Sequence, residues 1–193
     1  VSMLLPERWL ASFRPLLEAR PEDVRVFLAE KKLLEQLTGF TMYQVLLAVA
    51  KIPPPKPLEA ILAGVPRPHL LVAMDTLANA ENVGVLVRNC AAFGVQAIVV
   101  GETCSSPYLR RAVRSSMGTV FRMPVIEAVR LPHTLRDLQA VGIRCLAAHP
   151  RNENTLLSQA DFASDCCIVF GSEGDGISEP VLATCDEAVA IPM

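Results

Sequence analysis

Short apolar segments alternate with helix-like segments after residue 68, and this alternation constrains the fold more than any other feature. The apolar segments span residues 69–75, 96–101, 143–149, 165–171 and 187–193. The helix-like segments between them span residues 83–94, 106–118, 134–142 and 178–185. Strands of a parallel sheet are buried on both faces and therefore read as continuous apolar runs. The pattern predicts an α/β fold whose parallel sheet is covered by helices on both faces.

A proline-rich stretch, "KIPPPKPLEAILAGVPRP" at residues 51–68, divides the chain. Clustered prolines favour extended backbone and prevent a continuous helix. Before this stretch, Val26, Leu33 and Leu37 lie near helical spacing, so residues 6–50 are predicted to be largely helical. The predicted parts are a small, mostly helical N-terminal unit at 1–50, a linker at 51–68 and the α/β domain at 69–193.

The composition favours a packed domain and argues against several other classes of protein. Hydrophobic residues make up 51% of the 193 residues and charged residues 20%, so a packed core is expected. The formal net charge of −2 gives no support for a globally basic nucleic-acid binder, although it is compatible with a local basic face. No apolar run approaches the ~18 residues that a membrane span requires, so membrane insertion is not predicted.

The six cysteines and three histidines do not follow a metal-binding pattern. No two cysteines form a C-x-x-C pair, and most of them lie inside apolar runs. Reduced core cysteines in a cytoplasmic protein are the favoured interpretation. His69, His133 and His149 are scattered and lack metal-ligand spacing, so no metal site is predicted.

The segment "AENVGVLVRNCAAFG" at residues 80–94 places Arg88 in an otherwise largely apolar helix. Helical spacing predicts that the inward-facing residues are Val83, Leu86, Cys90 and Phe93. Arg88 shares its predicted face with Gly84 and Ala91, whose small size leaves room beside the guanidinium. Asn82 lies at the helix start, where it is suited either to capping the helix or to pointing outward. This segment alone fits both a capped surface helix with an exposed arginine and a functional site.

The segment "IVFGSEGDGIS" at residues 168–178 is an apolar strand that ends in a glycine-rich, acidic loop. In open α/β sheets, ligands bind where the carboxyl ends of strands enter such loops. Glycines let backbone groups approach a ligand closely. Because the loop is acidic, it suits a ligand with hydroxyls, an amine or a positive centre rather than a phosphate. An ordinary glycine-rich turn is the alternative interpretation.

A third segment, "LRRAVRSSMG" at residues 109–118, concentrates basic residues on one predicted helix. The candidate contacts to a nucleic-acid phosphate backbone are Arg110, Arg111, Arg114 and Ser116. Arginine is well suited to such contacts because its planar guanidinium binds phosphate in a bidentate manner. A solvated helix face is the alternative interpretation.

Together, these segments resemble the motifs of a known enzyme family. The order D-x-x-x-N-x-x-N-x-G-x-x-x-R resembles the first motif of the SpoU/TrmH-type RNA ribose methyltransferases of the SPOUT superfamily. Its residues in this sequence are Asp75, Asn79, Asn82, Gly84 and Arg88. "VFGSEGDGIS" resembles the second motif of that family, and "VAIPM" resembles the opening of the third. "RSSMGTVFRMPV" at 114–125 also resembles a family stretch, and the resemblance as a whole covers residues 68–193.

The resemblance implies transfer of a methyl group from S-adenosylmethionine to a ribose 2′-hydroxyl of tRNA or rRNA. It also implies a C-terminal trefoil knot, which these residues leave incomplete, and a homodimer with the site near the subunit interface. The positions that match the family's catalytic residues are Asn82, Arg88 and Glu173. The positions that match its cofactor-contacting backbone are Gly171, Ile191 and Met193. The N-terminal unit resembles, in part, the substrate-recognition domain of many members.

Two departures from the family pattern accompany the resemblance. Ala80 follows Asn79 where the family usually has proline, which loosens a turn. The family's third motif continues after "IPM" into a Ser-Leu-Asn segment and a helix, so we expect a continuation beyond Met193. Two other functions fit the sequence alone: a non-catalytic RNA-binding protein derived from a methyltransferase, and an unrelated α/β nucleotide-binding protein.

Overall fold

The computed structural model describes residues 1–39, 41, 46–150 and 155–190. The chain folds into two compact units, Val1–Pro53 and Pro54–Met193. The boundary between the two units lies inside the proline-rich stretch. No helix in the described ranges is long and apolar enough to cross a membrane.

The first unit is built on a three-stranded sheet in which β1 is central. Its elements are β1 (Ser2–Leu5), α1 (Glu7–Glu18), β2 (Arg25–Leu28), α2 (Lys31–Thr38) and β3 (Leu47–Val49). Strand β1 is parallel to β2 and antiparallel to β3. Leu5 at the end of β1 and Leu34 in α2 are fully buried. Leu34 is the centre of a small core against which Leu4, Ala29 and Leu47 pack.

This unit contains more strand than its apolar spacing predicted. Val26 lies in β2, where it pairs with Met3 of β1, and α2 begins only at Lys31. The spacing from Val26 to Leu37 therefore does not correspond to one helix. β-branched and aromatic residues such as those of "RVFL" fit a pleated surface, and pairing with β1 outweighs the weak local helical pattern.

The second unit contains a six-stranded sheet. Its elements are α3 (Leu58–Ala63), β4 (Leu70–Met74), α4 (Ala80–Ala92), β5 (Ala97–Val100), α5 (Arg110–Ser115), β6 (Val125–Glu127), α6 (Leu131–Ala140), β7 (Arg144–Ala148), β8 (Cys166–Phe170), α7 (Glu179–Leu182) and β9 (Glu187–Val189). The strand order is β6-β5-β4-β8-β7-β9, and every neighbouring pair is parallel. The predicted parallel sheet is confirmed.

Both faces of this sheet are buried, as its continuous apolar strands predicted. Leu71 and Ala73 of β4 face one core cluster, whereas Val72 and Met74 face another. This alternation follows from the period of two in a strand. The helix residues that complete the first cluster include Leu131, Leu135 and Leu138 of α6, and those that complete the second include Val83, Val87 and Cys90 of α4.

Two elements of this unit were not predicted. Helix α3 lies inside the proline-rich stretch. Pro57 is its N-cap residue and has an extended backbone, so this proline begins the helix and does not interrupt it. Its Ile61 is buried in the core, so this part of the stretch belongs to the packed domain. Strand β6 has only three residues and follows Pro124, which makes its apolar pattern too short to recognise.

The cysteines are core residues with free thiols. The buried ones are Cys90, Cys145, Cys166 and Cys167. Burial raises the pKa of Cys90 to about 11 and that of Cys185 to about 12, so both thiols are protonated near neutral pH. Across the described residues, no three His, Cys, Asp or Glu side chains form a group that could hold a metal ion.

Candidate active site

The order of the strands creates a crevice at the carboxyl ends of β4 and β8. From β4 the chain continues to β5 and β6 on one side of the sheet, whereas β7 and β9 lie on the other side of β8. Ligands bind at such points in open α/β sheets, because the connecting loops leave in opposite directions. Met74 and Phe170 are register partners at the ends of these two strands. The loops that follow them, residues 75–79 and 171–177, therefore start side by side.

Direct hydrogen bonds join the two loops. The Thr76 hydroxyl donates to the carbonyl of Gly176 at 3.0 Å and accepts from the backbone N–H of Ser172 at 3.4 Å. The carboxylate of Asp75 is buried and accepts from the backbone N–H of Ser178 at 2.7 Å. The first-motif and second-motif segments thus form adjacent walls of one crevice.

Thr76 is held in a strained conformation at this junction. Its φ is 57°, in the left-handed region that β-branched residues rarely occupy. Such a conformation costs on the order of 1–3 kcal/mol and persists only where surrounding contacts fix it. The bonds to Ser172 and Gly176 are such contacts, so Thr76 ties the geometry of one loop to that of the other.

The loop at residues 171–176 closes tightly on itself. Ser172 and Gly176 exchange backbone hydrogen bonds of 3.0 and 3.1 Å, and the Ser172 hydroxyl accepts from the N–H of Asp175 at 3.0 Å. A Cβ built on Gly171 would lie 2.1 Å from the carbonyl carbon of Gly176, so only glycine fits there. The closed turn presents the exposed side chains of Glu173 and Asp175 at its tip.

A third wall, which sequence reasoning missed, is formed by the loop after β5. The Cys104 thiol donates to the Met74 carbonyl at 3.2 Å and accepts from the Leu77 N–H at 3.4 Å. The Ser105 hydroxyl donates to the carbonyl of Ala78 at 2.5 Å. Burial, reinforced by the nearby acids, raises the pKa of Cys104, which keeps the thiol protonated as a donor. The available signal in the sequence was the polar segment "ETCSS" at residues 102–106, shortly after a buried strand.

Helix α4 leaves the first loop and carries Asn82 and Arg88. Asn79 is its N-cap, because its side chain accepts from the N–H of Glu81 at 2.8 Å. Asn82 therefore does not cap the helix, and its side chain is exposed in the first turn. Arg88 is also exposed, and it has no ion-pair partner within the described residues.

The buried face of α4 differs from the predicted one. Its buried residues are Val83, Gly84, Val87 and Cys90, whereas Phe93 is 80% exposed. A Cβ on Gly84 would lie 2.1 Å from the Ser115 hydroxyl and 2.3 Å from the Ala112 carbonyl. Gly84 thus admits the backbone of α5 instead of leaving room for Arg88. Phe93, the C-cap residue of α4, faces outward.

Helix α5 begins at Arg110, four residues after the start of the predicted helical segment 106–118. Arg110, Arg111 and Arg114 are all exposed. Ser116, in contrast, is fully buried, and its hydroxyl donates to the carbonyl of Val113 at 2.9 Å. Ser116 therefore packs beneath the surface that carries the arginines.

The structure brings only some of the predicted site residues together. Gly171 and Glu173 lie in the crevice loops, but Arg88 is nine residues after Asn79, about 13 Å along α4. No ion pair joins Arg88 to Glu173 in the part of the chain that the structure describes. The predicted cofactor contacts Ile191 and Met193 lie outside the described residues.

Comparison with known proteins identifies the family. Residues 69–193, more than half of the chain, match the SpoU rRNA Methylase family. The chain belongs to this family. The matched range contains the crevice loops, α4 and α5, so every candidate site residue of this SpoU-family chain lies within it.

Relatives of this SpoU-family chain include longer mycobacterial proteins. One from Mycobacterium avium (strain 104), named "Uncharacterized tRNA/rRNA methyltransferase", is 35% identical over 165 residues, which are 83% of this chain and 52% of that protein. A protein of the same name from Mycobacterium marinum (strain ATCC BAA-535 / M) is 36% identical over 126 residues, which are 65% of this chain and 40% of that protein. The chain thus spans about half the length, or less, of these curated relatives.

Solved structures share the fold. The SpoU methyltransferase AviRb from Streptomyces viridochromogenes, in complex with AdoMet, superposes with a TM-score of 0.82 at 22% identity, covering 100% of this chain and 73% of that one. An AdoMet-bound rRNA methyltransferase from Sinorhizobium meliloti gives 0.76 at 19% identity, covering 100% and 70%. Family membership excludes the interpretation of this chain as an unrelated α/β nucleotide-binding protein.

Proposed function

We propose that this SpoU-family chain transfers a methyl group from S-adenosylmethionine to a ribose 2′-hydroxyl of tRNA or rRNA. One observation carries the proposal: the first-motif and second-motif loops are hydrogen-bonded to each other in the switch-point crevice of a parallel sheet. Methyl transfer depends on holding an oxygen in line with a carbon–sulfur bond, so fixed loops are what the reaction requires.

The crevice loops fit the cofactor by the chemistry of their groups. When bound, S-adenosylmethionine supplies an electrophilic methyl group on a positively charged sulfur. The exposed carboxylates of Glu173 and Asp175 complement that charge and the cofactor's amine. Gly171 has no side chain to shield its backbone groups. In this proposal the backbones of Gly171, Ile191 and Met193 contact the cofactor.

Arg88 acts in the proposal as an electrostatic group and not as a base. A guanidinium stays protonated in proteins, so it cannot accept the proton of the 2′-hydroxyl. It is suited to clamping the adjacent RNA phosphate in a bidentate manner and to stabilising the alkoxide charge that develops on the ribose oxygen. Its exposure supports this role, because the guanidinium is available to a ligand. The adjacent phosphate then assists removal of the proton.

Asn82 and Glu173 orient groups around the reacting oxygen. Asn82 lies exposed in the first turn of α4, where its amide can both donate and accept. Glu173 lies at the tip of the second-motif loop and forms no ion pair with Arg88 in the described part of the chain. We therefore assign Glu173 to orienting the nucleotide instead of holding Arg88.

The RNA and the subunit arrangement complete the proposal. Arg110, Arg111 and Arg114 form an exposed basic stripe that suits an RNA phosphate backbone. A homodimer is proposed because Arg88 lies far along α4 from the crevice of its own chain, so a second subunit could supply the opposite wall. The proposal also includes a C-terminal trefoil knot, a contribution of the N-terminal unit to RNA recognition, and a cytoplasmic location.

The test is methyl transfer from tritiated S-adenosylmethionine to total tRNA and, separately, to rRNA. A 2′-O-methyl ribose cannot attack the neighbouring phosphodiester, so alkali leaves that linkage intact. Ribose methylation therefore releases the label as dinucleotides, whereas base methylation releases it as mononucleotides. We expect labelled dinucleotides from the wild-type protein and none above background from Arg88→Ala.

Two results would contradict the proposal in different ways. If the label is released in mononucleotides, the protein methylates a base and not a ribose. RNA binding without cofactor binding by calorimetry, and without any transfer, would instead indicate the non-catalytic RNA-binding protein. Arg136→Ala, an exposed arginine on α6, serves as the matched control and should transfer at the wild-type rate.

A further inference from the structure

We propose that Phe121 and Met117 form a stacking platform for an unpaired base of the RNA substrate. Both side chains are large, apolar and exposed, at 65% and 72%. They lie in the turn that follows α5, which no predicted catalytic residue occupies. The inference rests on the proposed function, because it assumes an RNA substrate.

Backbone hydrogen bonds hold the turn that carries these two apolar side chains. The N–H of Met117 donates to Arg114 at 3.0 Å, and that of Gly118 donates to Val113 at 3.1 Å. The N–H of Phe121 donates to the carbonyl of Gly118 at 3.2 Å. Val120, next to Phe121, is buried in the core and anchors the one-turn helix Thr119–Phe121.

The backbone of the turn is unusual where it displays these side chains. Met117 has a φ of 55° and Gly118 a φ of 78°, so two consecutive residues are left-handed. This region is disfavoured for a residue with a side chain such as methionine. A Cβ on Gly118 would lie 3.9 Å from the Phe121 ring, so the ring lies beside a position without a side chain. The backbone thus projects Met117 outward and leaves the ring uncovered.

The charge around the platform selects nucleic acid as its partner. Residues 103–126 contain four arginines and no acidic residue. All four arginines, Arg110, Arg111, Arg114 and Arg122, are exposed. Proteins that bind single-stranded nucleic acid combine arginines along the backbone with aromatic residues on which bases stack. An apolar patch within a purely basic segment matches that combination.

The platform is next to the helix that carries the proposed catalytic residues. Helix α5 touches α4 at Gly84, which lies between Asn82 and Arg88 in the sequence. The one-turn helix Thr119–Phe121 also packs against α4. A base stacked on Phe121 would therefore hold a strand whose phosphates pass over the exposed face of these helices.

The test measures binding of the whole protein to fluorescein-labelled RNA by anisotropy over a range of salt. The probes are a single-stranded RNA of about 16 nucleotides without self-pairing and a duplex of the same sequence. We expect Phe121→Ala to weaken single-strand binding roughly tenfold and to leave duplex binding and the salt slope unchanged. Arg111→Ala should instead weaken both probes and lower the salt slope by about one.

Conservative variants separate stacking from simple apolar contact. Phe121→Tyr keeps the ring face and should bind like the wild type, whereas Phe121→Leu keeps apolar area and should behave like alanine. Phe93→Ala, at an 80% exposed site outside the basic segment 103–126, is the control and should change nothing.

Each contrary result has a distinct meaning. If Phe121→Ala binds single-stranded RNA as tightly as the wild type does, the platform is overturned and the proposed function stands. If Phe121→Ala keeps the wild-type affinity for RNA but forms a weaker dimer in sedimentation, the patch is a protein contact. That result also overturns the platform. No binding of either RNA by the wild type overturns the platform and the proposed function together.

Discussion

At the amino end of the parallel sheet, acidic side chains are paired, whereas in the second-motif loop at its carboxyl end two acidic side chains project outward. Asp165 accepts from the backbone N–H of His69 at 2.6 Å and pairs with Arg67, and Asp186 accepts from the N–H of Cys145 at 2.7 Å. At the opposite end, Glu173 and Asp175 are exposed, and no ion pair involves either within the described residues. The difference teaches that acidic side chains at the amino end hold the strands, whereas those at the tip of the second-motif loop are available to a ligand.

The largest effect is expected from Arg88→Ala, on the helix that leaves the carboxyl end. In the proposed function Arg88 is a transition-state donor, and its loss should lower methyl transfer by about 10²–10³-fold. The unfolding midpoint in urea should not change, because Arg88 is exposed and has no ion-pair partner in the described ranges. If Arg88→Ala unfolds at a lower urea concentration but still transfers methyl groups at the wild-type rate, Arg88 stabilises the fold and does not take part in the reaction.

Two glycines of the second-motif loop provide a matched test, because a side chain would clash at one of them and not at the other. Gly171→Ala forces a Cβ against the carbonyl carbon of Gly176 at 2.1 Å, so we expect a loss of about 1–3 kcal/mol in unfolding free energy and of cofactor affinity. Gly174→Ala meets nothing within 4 Å and should leave the stability unchanged. Equal stability of the two variants in thermal unfolding would show that the loop closes differently from the structure.

The amino end is tested by Asp165→Ala. This change removes the acceptor of the His69 N–H and the partner of Arg67, and we expect a loss of about 2 kcal/mol in unfolding free energy. The rate of methyl transfer, measured well below the unfolding temperature, should stay at the wild-type value. A drop in the rate without a drop in stability would contradict the division between the two ends. Asp137→Ala, on the exposed side of α6, is the control.

The smallest effect is expected from Thr76→Val, which keeps the shape of the residue and removes the hydroxyl. Loss of its hydrogen bonds to Gly176 and Ser172 costs about 1 kcal/mol, which corresponds to roughly a fivefold weaker binding of S-adenosylmethionine by calorimetry. Thr76→Ser keeps the hydroxyl and should restore the affinity. If valine and serine bind the cofactor equally, the hydroxyl does not couple the loops.

Five of the six strands of the parallel sheet and the second-motif loop were predictable because their signals are local. A buried parallel strand is a continuous apolar run, and glycines mark the loop at residues 171–176. The adjacency of this loop to Asp75 was also within reach, because ligand crevices form at the carboxyl ends of strands.

The misjudged features depend on contacts between distant parts of the chain. The face that α4 buries depends on the close approach of α5 to Gly84. The spacing of apolar residues within α4 does not reveal this approach. Val26 enters a strand because β1 is available as a partner. The contribution of Cys104 follows from its bond to Met74, thirty residues earlier.

The hydrogen bonds that close the crevice have a consequence for synthesis of the protein. Thr76 and Gly176 are 100 residues apart in the chain, and Asp75 and Ser178 are 103 apart. Contacts of such separation form late, because the intervening chain must first be ordered. During translation, central strand β4 has no partner on one side until β8 emerges, so a nascent chain exposes an unpaired apolar edge. Chaperone demand should therefore peak before residue 170 leaves the ribosome.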